Sequence, residues 1–103
     1  KPVFTHLNSF LTQNLQTEEN WKDFEHYFST VHQDFFKTLK SNYPNLTTYD
    51  LNLCALLKLN LYNKEIAQIL GINPLSVKKA RQRLFQKMKL ENNEALINYL
   101  FQI

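Results

Sequence analysis

Apolar side chains recur every three or four residues along most of the 103-residue chain, which is the spacing of one face of an α-helix. Runs of alternating β-branched residues, which are typical of strands, are missing. Helices are therefore predicted over residues 4–15, 17–42, 47–59, 64–70, 74–89 and 93–101. The predicted fold class is all-α.

The strongest apolar stripe lies in the first half of the chain, at the spacing of a helix face. Its members are Trp21, Phe24, Phe28, Val31, Phe35 and Leu39. Thr30 and Gln33 have the spacing of a capping box, which predicts a helix break near His32. Pro44 ends the segment, because proline disfavours helix in the residue before it. Such stripes usually pack inward, so we interpret it as core, with a dimer or signal-transmitting surface as the alternative.

Helix start and stop signals are clear in the second half of the chain. Thr47 and Asp50 have the spacing of a capping box, and Asn63 is predicted to cap the next, short helix. Gly71, the only glycine of the chain, ends that helix, because glycine adopts a left-handed conformation without steric cost. Asn73 then suits the cap of another helix.

A short helix, a tight glycine turn and a longer helix together make a helix-turn-helix pattern. The predicted inner face of the second helix consists of Val77, Ala80, Leu84 and Met88. Its predicted outer face carries Ser76, Lys78, Lys79, Gln82, Arg83 and Gln86. Amines, guanidinium groups and amides are the groups that read base edges in a major groove or contact phosphates.

The distribution of charge favours a polyanion as partner. Residues 1–60 carry five basic and six acidic residues, whereas residues 61–103 carry seven basic and three acidic ones. Six of the basic residues lie between Lys78 and Lys89, with no acid among them. Charge alone fits a solvated helix face equally well, so it gains weight only beside the helix-turn-helix pattern.

Composition argues against an enzyme, a metalloprotein and a membrane protein. One glycine cannot build a phosphate-binding loop, and no serine or cysteine nucleophile has a plausible base near it in sequence. The three histidines lack metal-ligand spacing, and the single cysteine, Cys54, is predicted to be a buried residue of a cytoplasmic protein. No apolar stretch approaches the roughly 20 residues that span a bilayer. We therefore predict neither a cofactor nor a membrane contact.

Several short groups of residues in the second half stand at informative distances from one another. They are Leu46-Thr47, Asn63-Lys64-Glu65-Ile66-Ala67, Leu70, Ile72, Ser76-Val77-Lys78 and Lys87-Met88. These groups, above all NKEIA followed by SVK, resemble the LuxR-type (FixJ-type) DNA-binding domain of bacterial transcription regulators. The resemblance covers a little over half of the chain. Tyr62 departs from it by replacing the usual serine, and Ala80 by replacing a common histidine.

The resemblance implies a four-helix helix-turn-helix domain over residues 46–103, preceded by a connector or dimerisation arm of one to three helices over residues 1–45. It gives contacts with DNA bases to Lys78, Lys79 and Gln82. Its candidates for phosphate contacts are Lys64, Ser76, Arg81, Arg83 and Lys87. Arginine at positions 81 and 83 is not typical of the wider family.

The partners that the resemblance implies are double-stranded DNA, a second copy of the chain and further domains. The last helix is expected to help pair two copies into a homodimer on a two-fold related site. Upstream sensor or receiver domains are expected because the chain does not begin with methionine and is similar to the C-terminal end of large regulators.

An all-helical module for protein interaction or dimerisation, built on the same scaffold, is the alternative interpretation. It would bind its partner through the aromatic half of the chain and would be indifferent to duplex DNA. The basic run at residues 78–89 argues against it.

Overall fold

The computed structural model describes residues 18–103, and within that range it contains α-helices and no strand. The helices are α1 (Glu18–Val31), α2 (Phe35–Asn42), α3 (Thr48–Lys58), α4 (Asn63–Leu70), α5 (Pro74–Lys87) and α6 (Asn93–Gln102). The predicted all-α fold class is confirmed. The helix predicted over residues 4–15 lies outside the described residues.

The helix predicted over residues 17–42 is two helices, which break at the expected place for a different reason. No capping box forms there, since the Thr30 hydroxyl donates to the carbonyl of His26 (3.0 Å) and Asp34 is the N-cap without a side-chain hydrogen bond. The continuous stripe was also wrong at Val31, whose side chain is 63% exposed. Val31 is the last residue of α1, so the stripe does not continue along one helix at this position.

Local signals around the third helix act as predicted. The Thr47 side chain accepts a hydrogen bond from the amide of Asp50 (3.1 Å), and the Asp50 carboxylate accepts one from the amide of Thr47 (2.9 Å). This reciprocal box satisfies two amide groups that the start of α3 leaves without helical partners. All seven residues from Leu51 to Leu57 are buried, so α3 is the central helix of the fold.

The predicted cap of the short helix was wrong. Asn63 is the first residue of α4, and Tyr62 is its N-cap, with an amide that donates to the Glu65 carboxylate (2.8 Å). The Asn63 side chain instead accepts a hydrogen bond from Arg81. A glutamate three residues after the cap can therefore hold the helix start even where the cap residue has no short polar side chain.

The basic helix ends two residues earlier than predicted, at Lys87. Lys89 adopts the left-handed conformation (φ 57°), which lets the amide of Leu90 donate to the carbonyl of Phe85 (2.8 Å). This is the closing hydrogen bond of a Schellman motif, in which the left-handed residue is usually glycine.

One hydrophobic cluster includes residues from both halves of the chain. From α1 and α2 it contains Phe24, Phe28, Phe35 and Leu39, and from the later helices it contains Leu53, Ile66, Leu84, Leu96 and Leu100, among others. The rings of Phe28 and Phe35 meet edge to face at 5.2 Å, which joins α1 to α2. The boundary at residue 45 stays a prediction, but the residues on its two sides share this core.

Polar contacts fasten α2 to the last helix. The Asn42 side-chain amide donates to the hydroxyl of Tyr99 (2.8 Å), and the ring of Tyr43 packs edge to face against the Tyr99 ring. Lys58, in the last turn of α3, donates to the carbonyl of Phe101 (3.1 Å) and lies 6.0 Å from the centre of the Phe35 ring. α2 is therefore held against α3 and α6, while α5 packs against α4 and α6.

Candidate nucleic-acid interface

A turn at the left-handed Gly71 joins α4 to α5, and the two helices pack against each other. Gly71 has φ 70° and ψ 33°, and the amide of Ile72 after it donates to the carbonyl of Ala67 (3.0 Å). Asn73 caps α5 by accepting from the amide of Ser76 (2.8 Å). Because Ala67 is small and buried, the two helices can approach closely at the corner.

The inner face of α5 is anchored in the core, as its spacing predicted. Val77, Ala80, Leu84 and Met88 are all buried. With these positions fixed inward, the opposite side of a helix must face solvent. The exposed residues of α5 include Leu75, Lys78, Lys79, Gln82, Arg83 and Gln86. The structure therefore brings the three predicted base-contact residues to one exposed face.

The predicted phosphate-contact residues have different surroundings. Lys64, in the first turn of α4, and Arg83 are exposed, and Ser76 is half-buried in the first turn of α5. Lys87 forms an ion pair with Asp50, whose carboxylate lies 2.6 Å from the lysine amine. Arg81 is half-buried and hydrogen-bonded to two asparagines. The side chains of Lys87 and Arg81 thus have partners within the chain.

The ion pair joins the end of the basic helix to the start of the central helix. Burial by itself would raise the pKa of Asp50, but hydrogen bonds from Lys87 and Thr47 hold that pKa below its ordinary value of 3.8. The carboxylate is therefore charged at neutral pH and serves two purposes, because it caps α3 and receives the lysine. Spacing could not reveal this pair, since 37 residues separate its members.

An Asp50→Asn substitution removes the ion pair and is expected to lower the free energy of unfolding at pH 7 by about 1–2 kcal/mol. The loss is modest because the ion pair is partly exposed and the asparagine side chain keeps one acceptor oxygen. Since the pKa of Asp50 is lowered on folding, its contribution is present above pH 3.8 and is lost as the pH falls below that value. Urea unfolding of both proteins between pH 7 and pH 2.5 measures this, and the difference should shrink in acid. A difference that stays constant with pH would contradict the assignment.

A groove of about 650 Å³ runs beside the exposed face of α5, where the starts of α4 and α6 approach the middle of the basic helix. Its lining residues are Asn63, Lys78, Arg81, Gln82, Phe85 and Asn93. Two predicted base-contact residues, Lys78 and Gln82, share this groove with Arg81. Sequence reasoning missed Asn63 and Asn93 as partners of Arg81, because neither lies within one helical turn of it.

Two exposed residues of the helix-turn-helix were not predicted as site residues. Leu75, in the first turn of α5, is 59% exposed, and Tyr62, just before α4, is 78% exposed. The signal for Leu75 was present in the sequence, because it precedes Lys78 and Lys79 by three and four positions and so shares their side of the helix.

Other kinds of site find no support in the described residues 18–103. They contain no cluster of three or more histidine, cysteine, aspartate or glutamate side chains with the geometry to hold a metal ion. Burial raises the pKa of the Cys54 thiol to about 12, so it is not a nucleophile at neutral pH. Over the same residues, every helix is too short or too polar to cross a lipid bilayer.

Comparison with known proteins bears on the same stretch of chain. The family model for bacterial regulatory proteins of the luxR family (GerE) matches residues 46–100. A relative named "Probable transcriptional regulator ycf29", from Guillardia theta, is 28% identical over 64 residues. That match covers 62% of this chain but only 31% of the relative's length. No solved structure matches the chain significantly.

Proposed function

The chain belongs to the luxR family of bacterial regulatory proteins, and from this premise we propose that it binds double-stranded DNA sequence-specifically, with α5 in the major groove. One observation carries the proposal. Lys78, Lys79 and Gln82 lie together on an exposed face of a helix whose opposite face is buried. An α-helix held in this way can enter a major groove without disturbing the core behind it.

The side chains on that face suit direct recognition of bases. The amide of Gln82 can form two hydrogen bonds with adenine, and the amines of Lys78 and Lys79 can donate to the acceptors of guanine. Leu75 offers an apolar contact for a thymine methyl group. The face is therefore suited to a site of mixed base composition.

Contacts with phosphates would fix the helix in the groove. We assign them to Lys64 at the start of α4, to Ser76 and Arg83 on α5, and to Lys87, which would share its charge between Asp50 and a phosphate.

The protein is proposed to act as a pair of copies within a longer regulator. A helix-turn-helix unit covers a short half-site, so specific binding usually needs two units on a two-fold related sequence. The last helix, α6, is our candidate for the pairing surface, since Phe101 near its end is 46% exposed. Because the chain matches only 31% of the relative's length, we place a sensor or receiver domain elsewhere in the full-length protein.

Selection of bound duplexes from a random pool tests the proposal. We expect enrichment of one sequence with two-fold symmetry. A duplex that contains only one half-site of that sequence should bind more weakly. A pool that stays random after several rounds, with wild-type protein shown to be folded, would contradict sequence-specific binding.

Lys79→Ala is expected to change the selected sequence at one base position of each half-site, with about 1–3 kcal/mol less discrimination there. The matched control is Lys37→Ala, an exposed lysine on α2, which should leave the site and the affinity unchanged. Competition between the selected duplex and its single-base variants measures the effect. An unchanged preference at every position would remove Lys79 from base recognition.

A further inference from the structure

Arg81 connects three helices at the side of the helix-turn-helix. Its Nε donates to the side-chain oxygen of Asn93 (2.9 Å), and its Nη1 donates to the side-chain oxygen of Asn63 (2.5 Å). Asn63 is the first residue of α4 and Asn93 is the first residue of α6. The guanidinium on α5 therefore links the starts of both neighbouring helices.

The environment of this guanidinium differs from that of a free surface arginine. Its side chain is half-buried, and burial lowers the pKa of Arg81 from its ordinary value, although arginine stays charged at neutral pH. Two of its N–H groups are already directed at amide oxygens. A planar guanidinium that holds two acceptors fixes direction as well as distance, which the single amine of lysine cannot do.

The place of Arg81 on α5 connects this contact with base recognition. Lys78 is one helical turn before it and Gln82 is the next residue, and all three line the same groove. A rotation or tilt of α5 about its axis would therefore displace the two base-contact candidates relative to α4 and α6.

We infer that Arg81 is a positioning residue, which orients the recognition helix against α4 and α6 and does not contact phosphate. This role rests on the proposed DNA binding. It replaces the phosphate contact that the resemblance implied for Arg81, because the guanidinium is already hydrogen-bonded to Asn63 and Asn93.

A mutant cycle in thermal unfolding tests the contact without DNA. Arg81→Met and Asn93→Ala are each expected to lower Tm by about 4–8 °C, and the double variant should lose clearly less than the sum, because both substitutions remove the same hydrogen bond. Arg83→Met is the matched control on the same helix and should leave Tm nearly unchanged, since its side chain is exposed. Strictly additive losses would overturn the contact.

Duplex titrations test the positioning role, at a temperature where every variant is folded. For Arg81→Met and Arg81→Lys we expect the ratio of specific to random-duplex affinity to fall about tenfold, the cost of one mismatched base pair, with an unchanged salt slope. Arg83→Met should instead reduce the magnitude of the slope by about 0.9 for each copy bound, because it removes a phosphate contact.

Three results would overturn the inference. In the first, the salt slope of Arg81→Met falls as much as that of Arg83→Met. In the second, Arg81→Lys binds both duplexes as the wild type does. In the third, Arg81→Met lowers Tm but leaves the ratio of specific to random-duplex affinity unchanged. A wild-type chain that binds neither duplex would contradict the proposed function itself, and the unfolding cycle would still decide whether Arg81 holds the three helices together.

Discussion

Replacing Phe35 by alanine is expected to destabilise the protein by about 3–5 kcal/mol, although this residue lies outside the helix-turn-helix. Its side chain is fully buried, and the centre of its ring lies 5.2 Å from that of Phe28 and 5.5 Å from that of Phe36. The amine of Lys58 lies above the same ring. Truncation would leave a cavity between α2 and the central helix, which the surrounding rings cannot fill without moving.

Urea unfolding followed by circular dichroism measures this effect. Val31→Ala is a suitable control, because Val31 belongs to the same sequence stripe but is 63% exposed, and its substitution should change stability by less than about 0.5 kcal/mol. A Phe35→Ala variant as stable as Val31→Ala would show that α2 does not belong to the core. A loss of several kcal/mol is a large part of the total stability of a small domain, so duplex binding should weaken with it.

The same packing predicts how the N-terminal helices relate to DNA binding. Leu39 and Phe35 are fully buried in the cluster that also holds Leu84 of the recognition helix. A chain that begins at residue 46 would lack these side chains and would expose the parts of the cluster that pack against them. We therefore treat residues 18–43 as part of the folded unit that supports α5. The boundary at residue 45 then marks where the resemblance to the family begins.

Features encoded within a few residues could be predicted from the sequence. The Thr47 and Asp50 box, the left-handed Gly71 and the Asn73 cap are each set by side chains and backbone groups no more than four positions apart. The inner face of α5 followed in the same way from the spacing of Val77 and Ala80, because helical geometry alone fixes which residues share a side.

Features that join distant residues could not be predicted. Nothing in the sequence around Lys87 distinguishes it from a lysine that is free to bind a phosphate. Only the fold brings Asp50 next to it. Arg81 likewise resembled an exposed basic residue until its partners, 12 and 18 positions away, were known. For the same reason spacing could not show that Val31 faces solvent, since its exposure depends on where α1 stops.

The affinity for duplex DNA is expected to fall about 10³-fold between 50 and 200 mM monovalent salt. We propose three cationic phosphate contacts in each copy, by Lys64, Arg83 and Lys87, which makes six in a pair. Each contact displaces condensed counterions from the duplex, so the slope of log affinity against log salt concentration should be about −5. Fluorescence anisotropy with a labelled duplex at four or more salt concentrations measures this slope.

Variants of single lysines locate the source of the salt dependence. Lys64→Ala should reduce the magnitude of the slope by about 0.9 for each copy bound, equally on specific and random duplexes, because phosphates carry no sequence information. Lys40→Ala, which removes an exposed charge from α2 on the side of the N-terminal helices, should leave the slope unchanged. If affinity did not vary with salt, or if both variants changed the slope alike, the exposed basic face of α5 would not be the surface that meets DNA, and a protein partner would become the better explanation of the fold.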